Sequence, residues 1–125
     1  MKKSIHTEQA PRAIGPYSQA IVAGGFVFCS GQMPLDPVTM KAPDSLAGQA
    51  RQALENLKAV ALAAGCTLDD AVRVGLFLSS MDDFAEVNKI YEEYFTQKPA
   101  RTTVEVSRLP RDVRLEIDCI LFKES

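Results

Sequence analysis

The segment VRLEIDCILF at positions 113–122 restricts the possible folds more than any other part of the chain. Read with period two, Val113, Leu115, Ile117, Cys119 and Leu121 fall on one side of a strand. Arg114, Glu116, Asp118, Ile120 and Phe122 fall on the other. The first side needs a sheet sealed under a covering layer. The second is half polar and half apolar, which suits an interface better than open water.

Two helical patterns supply the covering layer. From Ser45 to about Ala64, apolar residues recur at Leu46, Ala50, Leu54, Leu57, Val60, Ala61 and Ala64, with Asp44 or Ser45 as N-cap and Gly65 as the stop. A second helix begins near Ser80, with Asp82 and Asp83 in the first turn where the helix dipole favours them. Its apolar stripe is Phe84, Val87, Tyr91, Tyr94 and Phe95, and Asn88 lies on that stripe. Further strands are predicted at GGFVFCSG, at AVRVGLFL with Val72, Val74, Leu76 and Leu78 alternating, at TTVEV with Val104 and Val106 alternating, and at SIHT. LPRD reads as a hairpin turn joining the last two strands. The order β-β-β-α-β-α-β-β predicts a single α+β domain over residues 1–125, with both helices on one sheet face. The opposite face is expected to carry Thr103, Glu105, Glu116 and Asp118 among Phe77, Ile120 and Phe122. Burying it predicts a homo-oligomer closed into a ring through its sheets.

Composition excludes several functions. A net charge of -2 and a pI near 5.4, with dispersed Lys and Arg, leave no basic footprint for nucleic acid. No apolar run approaches the roughly 20 residues of a membrane span. MKKSIHTEQAP has lysines without an apolar segment behind them, so a cytoplasmic protein is expected. Cys29, Cys66 and Cys119 are odd in number and widely spaced, which argues against a disulfide framework or a zinc site. His6 is the sole histidine, so a Ser-His-Asp or Cys-His machine within one subunit and a His-rich metal site are disfavoured. Chemistry is left to Arg, Glu, Asp, Tyr, Ser, Asn and backbone groups.

Four features fit such chemistry, and each has a structural alternative. In APRAIGPYSQA, Pro11, Gly15 and Pro16 preset a loop on which Tyr17 either packs or presents its phenol to a pocket. In CSGQMPLDP, Ser30 and Gly31 are either an ordinary strand exit or a hydroxyl beside backbone that a small anion or carbonyl can approach. Asn88 on an apolar stripe either bonds a neighbouring strand or serves a site, because a buried amide without partners costs roughly 1–3 kcal/mol. Arg101 and Glu116 either pair as a salt bridge, or Arg101 holds a substrate carboxylate while Glu116 handles a proton.

The motifs APRAIGPYSQA, SGQMPLDP, QARQALENLKAVALAAG, MDDFAEVNKIYEEYF and PARTTVEVSRLPRDVRLEID occur in order along nearly the whole chain. Together they resemble the RidA/YjgF family of reactive-intermediate (enamine/imine) deaminases. The resemblance implies a chorismate-mutase-like protomer with a mixed six-stranded sheet, assembled as a homotrimer around a central barrel, with sites between subunits. It implies hydrolysis of 2-imino and 2-enamino acids, such as 2-iminopropanoate and 2-iminobutanoate, to 2-oxo acids and ammonia, without metal or cofactor. It gives Arg101 the carboxylate and Glu116 the water, and it puts Tyr17, Ser30, Gly31, Asn88 and Thr103 in the pocket. The substrates would come from PLP-dependent dehydratases. The competing readings are a 2-oxo acid-binding or chaperone-like trimer and, more remotely, a ribonuclease or translation inhibitor. Two departures stand out. Thr103 occupies a position where many relatives carry cysteine, and TQKPAR is a shorter connection than many relatives have.

Overall fold

The computed structural model describes residues 2–123. Its elements run β1 (Lys2–Ile5), β2 (Ala20–Ala23), β3 (Phe26–Gln32), α1 (Leu46–Ala63), β4 (Ala71–Leu78), α2 (Phe84–Tyr94), β5 (Ala100–Glu105) and β6 (Leu115–Phe122). The six strands form one mixed sheet in the order β1-β2-β3-β6-β4-β5. The α+β class, the sheet and both helices agree with the sequence reading.

The helices begin and end where local chemistry directs. Ser45 caps α1 by accepting a hydrogen bond from the Gly48 amide at 3.0 Å. Beyond α1, Gly65 takes the left-handed φ of +80° that side chains resist. Ser80 caps a short 3-10 turn, Met81–Asp83, that leads into α2. Both helices cover the face formed by Val27, Cys29, Val74, Leu76, Leu78, Leu115, Ile117, Cys119 and Leu121, all buried.

Buried polar side chains tie the helices to the strands and loops that will carry the site. Asn56 on α1 donates to the carbonyls of Met33 (3.0 Å) and Leu35 (2.8 Å) and accepts from Gln52. Gln49 accepts from the Arg114 amide, and the Arg114 guanidinium grips the buried Asp83 carboxylate at 2.8 and 3.3 Å. These contacts fix the entry of β6 against both helices.

Three expectations need correction. LPRD is not a hairpin turn, because β4 lies between β5 and β6. The α2 crossover makes β5 a parallel neighbour of β4, whereas β6 runs antiparallel between β3 and β4. The connecting segment instead contains a 3-10 turn, Pro110–Asp112, with Arg111 and Asp112 both at positive φ. Second, Thr103 and Glu105 lie on the helix side. The register pairs Arg101 with Val74, Thr103 with Leu76 and Glu105 with Leu78, so Val104 opposite Phe77 points to the open face. Third, Val72 leaves the buried alternation and is exposed, because the β4–β6 register shifts between Ala71 and Arg73. Phe26, Phe28, Val104 and Phe122, each 38–45% exposed, leave the open face strongly apolar.

Candidate active site

The predicted site residues fall into two groups on opposite faces of the sheet. Arg101, Asn88 and Thr103 stand on the helix side at the β5 edge. Glu116, opposite Phe77, stands on the open side with Ser30, Gly31 and Tyr17. Within one chain no salt bridge joins Arg101 and Glu116, because the two side chains stand on opposite sheet faces.

The Arg101 group is built by α2. Arg101 donates from Nη1 to Asn88 Oδ1 at 2.7 Å. Its guanidinium carbon lies 4.6 Å from the Tyr91 ring centre and 5.5 Å from that of Phe84. Among the described residues Arg101 has no carboxylate partner. Asn88 thus bonds the side chain of a residue on strand β5, not a strand backbone group. The cation fronts an open cleft of about 590 Å³ with Asn88, Tyr91, Lys98 and Pro99 in its wall. The Thr103 hydroxyl is buried and makes no hydrogen bond with any described residue. The Tyr91 hydroxyl is in the same condition, and burial raises its pKa while the Arg101 cation offsets part of the shift.

The Glu116 group surrounds a second cleft of about 460 Å³, lined also by Ile14, Pro110 and Arg111. Burial pushes the Glu116 carboxyl above its ordinary pKa, and the nearby Asp118 carboxylate adds to the shift. A carboxyl shifted in that direction is a stronger base when ionised than an ordinary surface carboxylate. Asp118 is itself raised by burial, against which the Gly75 amide (3.0 Å) and Arg73 act. Gly31 leaves the space that the Glu116 carboxyl occupies. A Cβ there would lie 2.8 Å from the Glu116 carboxyl carbon and 3.0 Å from its Cγ. Ser30 donates from its hydroxyl to the Ser18 carbonyl at 2.6 Å, so its oxygen can accept but its proton is committed. Tyr17 lines the cleft while its hydroxyl accepts from the Ile14 amide at 3.3 Å, so it both packs its own loop and borders the site.

Sequence reasoning left out Phe84, Tyr91 and Phe95 around Arg101, and Ile14, Pro110 and Arg111 around Glu116. The three aromatics were visible only as a helical apolar stripe. Arg111 carried no signal, because its position depends on a left-handed backbone and on its donation to the Met40 carbonyl at 2.9 Å. The three thiols are buried in the sheet–helix layer and line neither cleft. Among the described residues no group of three or more His, Cys, Asp or Glu could hold a metal ion.

Comparison with known proteins adds independent information. The family model described as Endoribonuclease L-PSP matches residues 7–122. A RutC family protein of Pyrococcus horikoshii is 53% identical over 126 residues, covering 99% of this chain and 100% of that one. An Escherichia coli protein named 2-iminobutanoate/2-iminopropanoate deaminase is 48% identical over 127 residues, covering 98% and 99%. The crystal structure of Escherichia coli TdcF with bound serine superposes with a TM-score of 0.94 at 42% identity, covering 98% and 99%.

Proposed function

Because the chain belongs to the endoribonuclease L-PSP family, also called RidA/YjgF, we propose that it hydrolyses 2-imino acids to 2-oxo acids and ammonia. The observation that carries this reading is Arg101, a guanidinium held on one edge by Asn88 with no carboxylate partner among the described residues. A planar fork in that condition matches a substrate carboxylate. Relatives named 2-iminobutanoate/2-iminopropanoate deaminase support it. So does TdcF, whose bound serine carries an α-carboxylate.

The separation of Arg101 from Glu116 leads to the second part of the proposal. A 2-imino acid has only one bond between its carboxylate and the reacting carbon, so both groups must approach one small molecule. One chain presents them on opposite sheet faces. The proposed solution is a homotrimer in which the open faces pack together and each Arg101 cleft meets the Glu116 cleft of a neighbour. The apolar open face, with Phe26, Phe28, Val104 and Phe122 exposed, gives that association its driving force.

In the proposed reaction the Arg101 guanidinium orients the carboxylate, and the protonated imine carbon is already electrophilic. Glu116 takes a proton from water as the water oxygen bonds to that carbon. The electron pair of the C=N bond moves to nitrogen, giving a carbinolamine. The proton on Glu116 passes to the nitrogen, and the C–N bond breaks as the oxygen lone pair forms C=O. Ammonia departs, and the hydroxyl proton returns to Glu116 or solvent. Orientation and proton transfer are the protein's contributions. The supplying reaction is a β-elimination by a PLP-dependent dehydratase, which releases enamines that tautomerise to imines.

The test generates 2-iminobutanoate with a dehydratase and follows its decay with and without the protein. Acceleration is expected, together with a trimer mass by light scattering. Arg101→Ala should lower the rate at least about 100-fold while the mass is unchanged. No acceleration across several imino acids, with saturable 2-oxo acid binding retained, would leave a binding protein instead of an enzyme.

A further inference from the structure

Arg101 sits at the end of an aromatic stack that the reaction chemistry does not itself require. Phe95 is 2% exposed and follows α2 directly. Its ring lies 4.7 Å from that of Tyr91, at 27° between planes. The Arg101 guanidinium carbon lies over the Tyr91 ring, 4.6 Å from its centre. Tyr91 is 7% exposed, so the ring cannot swing away without disturbing the core. Its hydroxyl makes no hydrogen bond with any described residue. The contacts that Tyr91 makes with Arg101 and Phe95 are contacts of its ring.

We propose that Tyr91, backed by Phe95, is a positioning residue that fixes the plane of the Arg101 guanidinium so that its unbonded edge meets a substrate carboxylate squarely. This inference rests on the reading of Arg101 as the carboxylate clamp. The physical argument has three steps. An arginine side chain on an edge strand has several rotatable bonds and would lose their freedom on binding. Asn88 fixes one nitrogen but leaves rotation about that hydrogen bond. Stacking on a buried ring removes that rotation before the ligand arrives, because the cation is drawn to the negative face of the ring. The entropy of ordering is then spent in folding instead of binding.

The ring and the hydroxyl make opposite predictions. Tyr91→Phe keeps the platform and removes an unsatisfied oxygen, so the Kd for pyruvate should stay within about twofold and Tm should hold or rise. Tyr91→Leu and Tyr91→Met remove the platform, and each should raise the pyruvate Kd and the imine KM about tenfold, with kcat changed less. In the unaltered protein, the Arg101 Nε–H resonance, assigned by its loss in Arg101→Ala, should lie upfield of other arginines through the ring current of Tyr91. Wild-type pyruvate affinity in both aliphatic variants overturns the inference, as does a Tyr91→Phe loss equal to theirs. If neither aliphatic variant folds, an unshifted Nε–H resonance overturns it alone. Arg101→Ala separates the two claims. Lost pyruvate binding there with unchanged binding in Tyr91→Leu refutes only the platform, whereas retained binding in Arg101→Ala refutes the clamp itself.

Discussion

Gly31→Ala tests the Glu116 half of the site without touching a charge. Gly31 lies in β3 with no positive φ, so alanine suits its backbone. The added Cβ would meet the Glu116 carboxyl carbon at 2.8 Å and Cγ at 3.0 Å, with a carboxylate oxygen nearer still. Ordinary contact between such atoms needs about 3.5–4.0 Å, so the carboxylate must retreat by about 1 Å. A misplacement of about 1 Å at a reacting group costs on the order of 100-fold in rate, or about 2.7 kcal/mol of transition-state stabilisation. The moving atoms are the end of a side chain beside a cleft, so stability should change little. A compatible Gly→Ala exchange adds about 0.4–1 kcal/mol through the unfolded state, which offsets part of any strain. The assay is kcat/KM with 2-iminobutanoate generated in place, beside Tm and the pyruvate Kd. The expected result is a rate loss of about 100-fold with Tm and Kd held. Wild-type kcat/KM in Gly31→Ala would refute the geometric argument, and so would a rate loss matched by loss of folding or assembly.

Two further substitutions read the electrostatics and the scaffold. Glu116 has a raised pKa in the folded state, so ionising it costs stability as pH rises above the unfolded carboxylate value toward the folded one. Glu116→Gln should therefore have a higher Tm than wild type at pH 7, with the gap closing as pH falls toward the ordinary carboxylate range; a gap independent of pH would contradict this. Asn56→Ala removes the donors to the Met33 and Leu35 carbonyls, and leaving such groups buried without partners should cost about 3 kcal/mol, measured as a lower urea midpoint at unchanged slope.

The two halves of the site were not equally open to inference. Glu116 could be assigned to a sheet face from β6 alone, because a period-two strand fixes which residues share a side, and the burial alternation of β6 follows that assignment. Arg101 could not. TTVEV alternates well enough to suggest that Val104 faces the core, yet pairing with β4 turns Arg101 and Thr103 toward the helices and Val104 outward. An edge strand with both valines and threonines has no composition signal strong enough to choose its own face. The polar pins Gln49 and Asn56 were similarly silent, since the Arg114 amide that Gln49 accepts from and the Met33 and Leu35 carbonyls that Asn56 satisfies come from distant segments.

The sequence alone determined the elements and much of the chemistry. Local periodicity, caps and glycine stops act within a few residues, so both helices and the main strands could be read directly. The motifs carried the family for the same reason, being contiguous runs. Only the tertiary structure decided the neighbours. It inserted β6 between β3 and β4, and it set β5 parallel at the edge. Register between strands depends on contacts distant in sequence, and a one-residue change in it reverses every face. That is why Arg101 and Glu116, read at first as possible partners, stand on opposite sides of one sheet, and why the aromatic bed under Arg101 became visible only in the fold.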